Sequence, residues 1–222
     1  MNDLIILITT IKIALLAIAI SSPFAFIVAI YITRNENILK SILDFLINLP
    51  IVLPPVVIGY GLLYLLSPNY IIGSFLSNVF QTTISFTWIA ASLASMIVAF
   101  PLMVRTMEVA LSNVDKNLET TARTLGANKI YAFMTITARL SYKGLLAALI
   151  IGFARSVGEF GATMVVAGNI PGKTQTLSTG IFQRLSIFDD SGAIRLILFS
   201  LIISIISLIL FRLFTRRTKE DH

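Results

Sequence analysis

The sequence predicts an all-α polytopic membrane protein with five transmembrane helices. Three observations carry that expectation. Of the 222 residues, 56% are hydrophobic and only 13% are charged, where a soluble domain averages about a quarter charged; mean hydropathy is +0.90. Five segments each offer the roughly 20 apolar residues that a bilayer-crossing helix needs. Lysine and arginine gather in alternate connections, the bias that sets orientation in a membrane.

The first span is expected at about Leu4–Ile32, interrupted only by Lys12 and a Ser21–Ser22–Pro23 step. Its apolar run is too long for a cleavable signal, and Asp3 stands where a basic leader would be. The second, about Ile42–Leu66, contains Asp44 at its basic end and Pro50, Pro54 and Pro55, which remove backbone donors and kink a helix. The third is about Ile84–Val104, the fourth about Leu145–Ala167, and the fifth about Ala193–Phe214 with Arg195 at its start.

Orientation follows from the connections. Arg34 and Lys40 follow the first span; Arg105, Lys116, Arg123, Lys129, Arg139 and Lys143 follow the third; Arg216, Arg217 and Lys219 form the tail. The stretch Ser67–Thr83 carries no charge, and Lys173 and Arg184 after the fourth span are offset by Asp189 and Asp190. The N-terminus is therefore expected outside and the C-terminus in the cytoplasm. The net charge of +6 then reads as a cytoplasmic collar, not as a nucleic-acid footprint. The chain has no cysteine, and His222 is its one histidine. Disulfides, thiolate or histidine metal sites and a Ser/His triad have nothing to be built from. No catalytic and no metal-binding residue is expected.

The 112–140 connection has its own pattern. Asp115 is placed to cap a helix, on which Leu118, Ala122 and Leu125 share a face at i, i+4, i+7. Gly126 stands where a left-handed residue ends such a helix. Asn128 can cap a second helix with Ile130, Phe133 and Met134 on its apolar face. Two readings are open: helices resting on lipid headgroups, or a docking element for another protein.

In the fourth span Gly144, Ala148, Gly152 and Ser156 recur every four residues, a small-residue stripe that lets another helix approach closely. Arg155 and Glu159 are also four apart and can meet on one face. A charge at mid-bilayer costs at least ~2.5 kcal/mol on insertion scales, so the two are expected to pair, as a static packing contact or as a polar element beside a solute path. Gly158 and Gly161 bracket Glu159–Phe160 and predict a broken helix there, a feature that tends to line cavities in membranes. Gly59 and Gly61 after the prolines allow close packing or flexing near a path. Ala167–Thr174 reads AGNIPGKT and looks like a phosphate-binding loop, but Ala167 replaces the first glycine, no strand precedes it, and the charge bias puts it outside. It is a plain turn, or a turn whose amides face an incoming anion.

Five stretches together resemble the permease subunit of a molybdate-type ABC importer: ARTLGA (Ala122–Ala127), FARSVGEFGAT (Phe153–Thr163), AGNIPGKTQTL (Ala167–Leu177), LPPVVIGY (Leu53–Tyr60) and FPLMVRT (Phe100–Thr106). The resemblance covers nearly the whole chain. It implies one type I ABC-importer transmembrane domain over residues 1–222, in the plasma membrane, with the 112–140 connection as the coupling loop. It implies Glu119, Ala122, Leu125, Gly126 and Ala127 as the contact to a separate ATPase. Thr120 and Thr121 stand where such loops often have Glu-Ala, with Glu119 one position early. Arg155, Gly158, Glu159, Phe160 and Gly161 become candidates for the translocation path or gate, and Asn169, Lys173, Thr174, Gln175 and Thr176 for the outer loop. The implied partners are a second copy of the chain, a pair of cytoplasmic ATPases carrying ATP and Mg, an extracytoplasmic oxyanion-binding protein and membrane lipid. No cofactor is expected on this chain. Two other readings stand beside it: a sulfate-branch permease, or a stand-alone ion-coupled carrier or channel, which has no use for the helix–Gly–helix connection.

Overall fold

The computed structural model describes residues 3–80 and 83–216, and every regular element among them is a helix; the basic tail at Arg217 and Lys219, and His222, lie outside the described residues. In chain order the helices are α1 (Asp3–Arg34), α2 (Ile38–Val52), α3 (Pro55–Leu66), α4 (Ile71–Phe80), α5 (Trp88–Ser112), α6 (Lys116–Thr124), α7 (Lys129–Ala132), α8 (Ala138–Val157), α9 (Gly161–Ala167), α10 (Leu177–Ser186) and α11 (Asp190–Arg216). A π-helical turn, Phe133–Thr137, joins α7 to α8, so one continuous helix of 29 residues runs from Lys129 to Val157.

α1, α5, Lys129–Val157 and α11 are each long and apolar enough to cross a bilayer. The second expected span differs. α2 and α3 meet at 109°, and at 1.5 Å per residue they reach only about 22 Å and about 18 Å, short of the ~30 Å hydrocarbon core. The cause is local. A residue before proline is pushed out of the helical region, and two prolines in a row push two residues: Leu53 (φ −70°, ψ 138°) and Pro54 (φ −55°, ψ 132°) are both extended. Pro55 then opens α3, where its missing N–H costs nothing. Pro50 and Pro101 sit inside helices that continue past them.

α5 forms the centre. Ala90, Ala91, Ala94 and Ala99 are fully buried on it, and α1 contributes Ala14, Ala17, Ala25 and Ala29. The small-residue stripe of α8 packs against the same helix. A Cβ added at Gly144 would stand 2.4 Å from the Cβ of Ala110, and one at Gly152 would stand 2.5 Å from Met103. The stripe is thus a close helix contact, as its spacing implies. Lys12 resolves onto the single tryptophan: its ammonium lies 3.6 Å from the Trp88 ring centroid, so a cation on α1 is held over the first residue of α5. α11 carries mostly exposed apolar side chains and packs on α8 and α10.

The charge-poor end is more structured than its composition suggests. α4 and α10 are helices where plain connections were expected. α10 begins with a reciprocal cap between Thr176 and Thr179. Its Arg184, only 8% exposed, pairs with Asp3 and donates to the Gly192 carbonyl at 2.6 Å. Arg195 donates to the same Asp3 at 2.9 Å, which gives the misplaced positive charge of the fifth span its partner. The Gly192 amide, with the Ser191 hydroxyl and the nearby Arg184 and Arg195, holds the Asp189 carboxyl below the usual carboxylate range against a smaller opposing effect of burial. The start of α1, the end of α10 and the start of α11 are joined here through ionised groups.

α3 and α9 cross at close range. A Cβ at Gly59 would stand 2.6 Å from the Ala162 carbonyl oxygen, whereas one at Gly61 would meet nothing within 4 Å. The two glycines of the GYG step therefore do different jobs. Gly59→Ala should destabilise the bundle by about 1–3 kcal/mol through overpacking against backbone. Gly61→Ala should be neutral or slightly stabilising. Thermal unfolding of both variants in detergent checks the contrast; equal melting temperatures would show that α3 and α9 do not cross this way.

Candidate functional site

Two regions gather the polar groups singled out in the sequence. The first is the break between α8 and α9. α8 ends at Gly158, whose amide donates to the Ala154 carbonyl at 3.3 Å, and Phe160 (φ −126°, ψ −58°) is non-helical before α9 restarts at Gly161. Arg155 and Glu159 do pair, at 3.0 Å from Nη1 to Oε2. The pair is lopsided: the Glu159 side chain is 2% exposed and that of Arg155 is 35% exposed. Glu159 has a second role that its spacing did not reveal. Its Oε1 accepts the Ala162 amide at 2.9 Å, so the same carboxylate caps α9. Arg155 thus answers Glu159 through one nitrogen while its side chain stays partly exposed. The Phe160 ring meets that of Phe182 on α10 at a tilt of 51°, 5.3 Å between centroids, and Gly161 sits against Pro55, with 3.2 Å left for a Cβ.

The 168–176 turn follows α9. Gly168 (φ +69°) and Gly172 (φ +75°) are left-handed. The amides of Lys173, Thr174 and Gln175 all turn onto the Ile170 carbonyl at 3.0–3.2 Å, and the Thr174 hydroxyl accepts the Ile170 amide at 3.0 Å. These amides point inward, so the turn is a self-satisfied knot rather than an anion nest. Thr174, Gln175 and Thr176 are buried. Asn169 and Gln175 both donate to the Gln183 side chain on α10, and the Leu177 amide donates to Thr10 of α1 at 2.9 Å. Of the outer-loop candidates, only Lys173 is exposed. Gln183, Thr10 and Arg184 were missed, because their partners lie on other helices.

The second region is the 112–140 connection. Asp115 caps α6 through the Asn117 amide (2.9 Å), and Asn128 caps α7 through the Tyr131 amide (2.8 Å). Gly126 is left-handed (φ +97°). Leu125, Ile130, Tyr131 and Met134 are strongly exposed. Ala122 and Ala127 are half-buried. Glu119 turns the other way. Its Oε1 pairs with Arg34 at the end of α1 and accepts the Thr137 hydroxyl at the π turn. Arg34 in turn lies 4.6 Å over the Phe133 ring. Glu119 therefore fastens the connection to the bundle, while the apolar face looks away from it.

The bundle of long apolar helices with a broken helix inside it is the architecture of a polytopic membrane protein. Residues 5–220 match the family described as binding-protein-dependent transport system inner membrane component. The chain belongs to this family and is a multi-pass plasma-membrane protein. It is 44% identical over 214 residues to the molybdenum transport system permease protein ModB of Haemophilus influenzae, covering 92% of each chain. It is 35% identical over 186 residues to the sulfate transport system permease protein CysT of Salmonella typhimurium, covering 82% of this chain and 67% of that one. In fold it resembles a chain of the inward-facing MetNI methionine ABC transporter, with TM-score 0.62, 19% identity, and coverage of 95% of this chain and 96% of that chain.

Charge removal at Arg155 alone should strand the buried Glu159 carboxylate and cost stability on the scale of about 3–5 kcal/mol for a broken buried pair, less what the half-exposed arginine already gives to solvent. Arg155→Gln combined with Glu159→Gln should be milder, since the glutamine can still accept the Ala162 amide. Melting temperatures of the two singles and the double form the test. Strict additivity would mean that the two side chains are not coupled.

Proposed function

We propose that this chain is the transmembrane subunit of an ATP-driven importer of molybdate, or of tungstate, a tetrahedral dianion of nearly the same size. The 44% identity to a molybdenum permease over 92% of the chain carries the proposal; the sulfate relative matches less closely and over less of its own length. In this reading two copies of the chain enclose a path, with the N-terminus outside and the C-terminus in the cytoplasm, as the basic connections favour. A separate ATPase pair docks below, an external oxyanion-binding protein delivers the substrate above, and this chain holds no ATPase site of its own.

The geometry supports a division of labour. Leu125, Ile130, Tyr131 and Met134 present an apolar face left exposed by the described residues, suited to burial in an ATPase cleft. Glu119, tied to Arg34 and Thr137, hands the motion of that docked face to α1 and to the helix from Lys129 to Val157. At the far end of that helix stands the Arg155–Glu159 break. The guanidinium there offers N–H donors to a passing dianion, while the adjacent carboxylate keeps the attraction weak enough for release. The permease makes and breaks no covalent bond; its contribution is two alternating shapes of one polar path.

Expressed with its ATPase and binding protein in cells lacking other oxyanion systems, the chain should restore molybdate accumulation. Restored sulfate accumulation without molybdate would move the assignment to the sulfate branch. Orientation and docking share a second test. The chain has no cysteine, and Leu125, 84% exposed, caps α6 through its backbone alone, unlike Asn128, whose side chain is the cap. Leu125→Cys should resist a membrane-impermeant thiol reagent added outside, react when it is added inside, and be shielded when the ATPase is bound. Labelling from outside would overturn the topology, and unchanged labelling with ATPase present would overturn the docking.

A further inference from the structure

The contact of Glu119 with Arg34 forms one wall of a cavity of about 260 Å³ between the 112–140 connection and the bundle. A water molecule's share of liquid volume is about 30 Å³, so the space holds a group several times that size. Its charges do not balance. Arg34, Lys116, Arg123 and Lys129 line it, with Glu119 as the only carboxylate among the described residues on the lining. Arg34 and Glu119 answer one another. Among the described residues, Lys116, Arg123 and Lys129 make no ion pair. Three cations from two short helices thus converge on one hollow with no anion to meet them.

The rest of the lining is not that of a plain salt-water cleft. Thr33, Thr120 and Thr137 line it with hydroxyls whose protons go to Ala29, Lys116 and Glu119, which leaves the cations as the donors, and Ile30, Leu111 and Phe133 form an apolar floor. The place is also particular: Arg34 is the last residue of the span α1, so the cavity lies at the basic end of the bundle, where helices leave the hydrocarbon for the headgroup layer. Cations above an apolar floor at that depth match an anionic headgroup with the start of its chain.

We propose that this cavity is a binding site for a phosphate-like oxyanion, held by Lys116, Arg123 and Lys129 beneath the coupling loop. The anion is carried by an acidic phospholipid or is free in solution. Bound there, it bridges α6 and α7 to the end of α1 alongside the Glu119 tie, and the loop's stiffness then depends on the anions around it. The proposal goes beyond the transport reading and does not rest on which solute is carried.

The test uses the full-length chain, purified and stripped of lipid, and compared with the triple variant Lys116→Gln/Arg123→Gln/Lys129→Gln. Native mass spectrometry with phosphatidylglycerol or phosphatidylcholine forms one arm. Titration calorimetry with inorganic phosphate, and with molybdate, forms the other. A near-parental melting temperature confirms that the variant is folded; if it is not, the single variant Arg123→Gln takes its place. The parent should retain phosphatidylglycerol over phosphatidylcholine, and affinity should fall about fivefold for each cation removed. Heat of binding with phosphate or molybdate, lost in the variant and competing with phosphatidylglycerol, would identify the free anion as the occupant. Equal retention of every anion by parent and variant would overturn the site. So would a variant that binds anions normally but no longer co-purifies with its ATPase, since the three cations would then serve a protein surface.

Discussion

Lipid tails are as apolar as leucine, so helices in a bilayer gain little by hiding apolar side chains from one another. They must approach closely enough for dispersion and interhelical hydrogen bonds to hold them. α5 meets this constraint on two sides, with its own alanines and serines and with the glycines of α8. On one side it faces the alanines of α1, and on the other the stripe from Gly144 to Ser156. Where Met103 intrudes, Gly152 makes room and Ser21 donates to its sulfur at 3.3 Å. The remaining elements hang from this three-helix contact. α9 is positioned by the end of α8, α3 by its crossing with α9, and the 112–140 connection spans the gap between the end of α5 and the start of α8.

Ionised groups serve at the two ends of that core and at one point within it. At the charge-poor end Asp3, Arg184 and Arg195 join three helix termini. At the basic end Arg34 and Glu119 join α1 to the connection. Within the bundle, Glu159 answers both Arg155 and the Ala162 amide in the first turn of α9. Each placement follows from the cost of an unanswered charge away from water. The π turn at Phe133–Thr137 lies where one of these joints is made, consistent with the tendency of such turns to occur at functional positions. It lets Thr137 and Phe133 both reach the Arg34–Glu119 pair without ending the helix.

What was legible in the sequence was what local spacing encodes. The caps at Asp115 and Asn128, the left-handed Gly126, the i,i+4 pairing of Arg155 with Glu159 and the break after Gly158 all appear as expected. So do four of the five spans, with shifted limits: α5 starts at Trp88 and continues to Ser112, and the helix of the fourth begins as far back as Lys129 and breaks before α9. The bend between α2 and α3 was underestimated, since consecutive prolines announce a break but not its angle. α10 was missed because its cap uses a threonine where glutamate or glutamine is usual. The inward turn of Glu119 had no signal at all, because Arg34 is 85 residues away and a distant partner leaves no local pattern. Burial of Gln175 was hidden because its partner Gln183 sits on α10, a helix the spacing did not announce.

The contact between Lys12 and Trp88 gives the chain an optical property. It has one tryptophan, and that indole lies under an ammonium group borne by a neighbouring helix. Ultraviolet emission excited at the red edge, where tyrosine does not absorb, therefore originates from a single address at the seam between α1 and α5. A cation over an indole perturbs its excited state according to their separation. Any rearrangement that parts these two helices changes brightness or colour without an attached dye, and the six tyrosines contribute nothing to that signal.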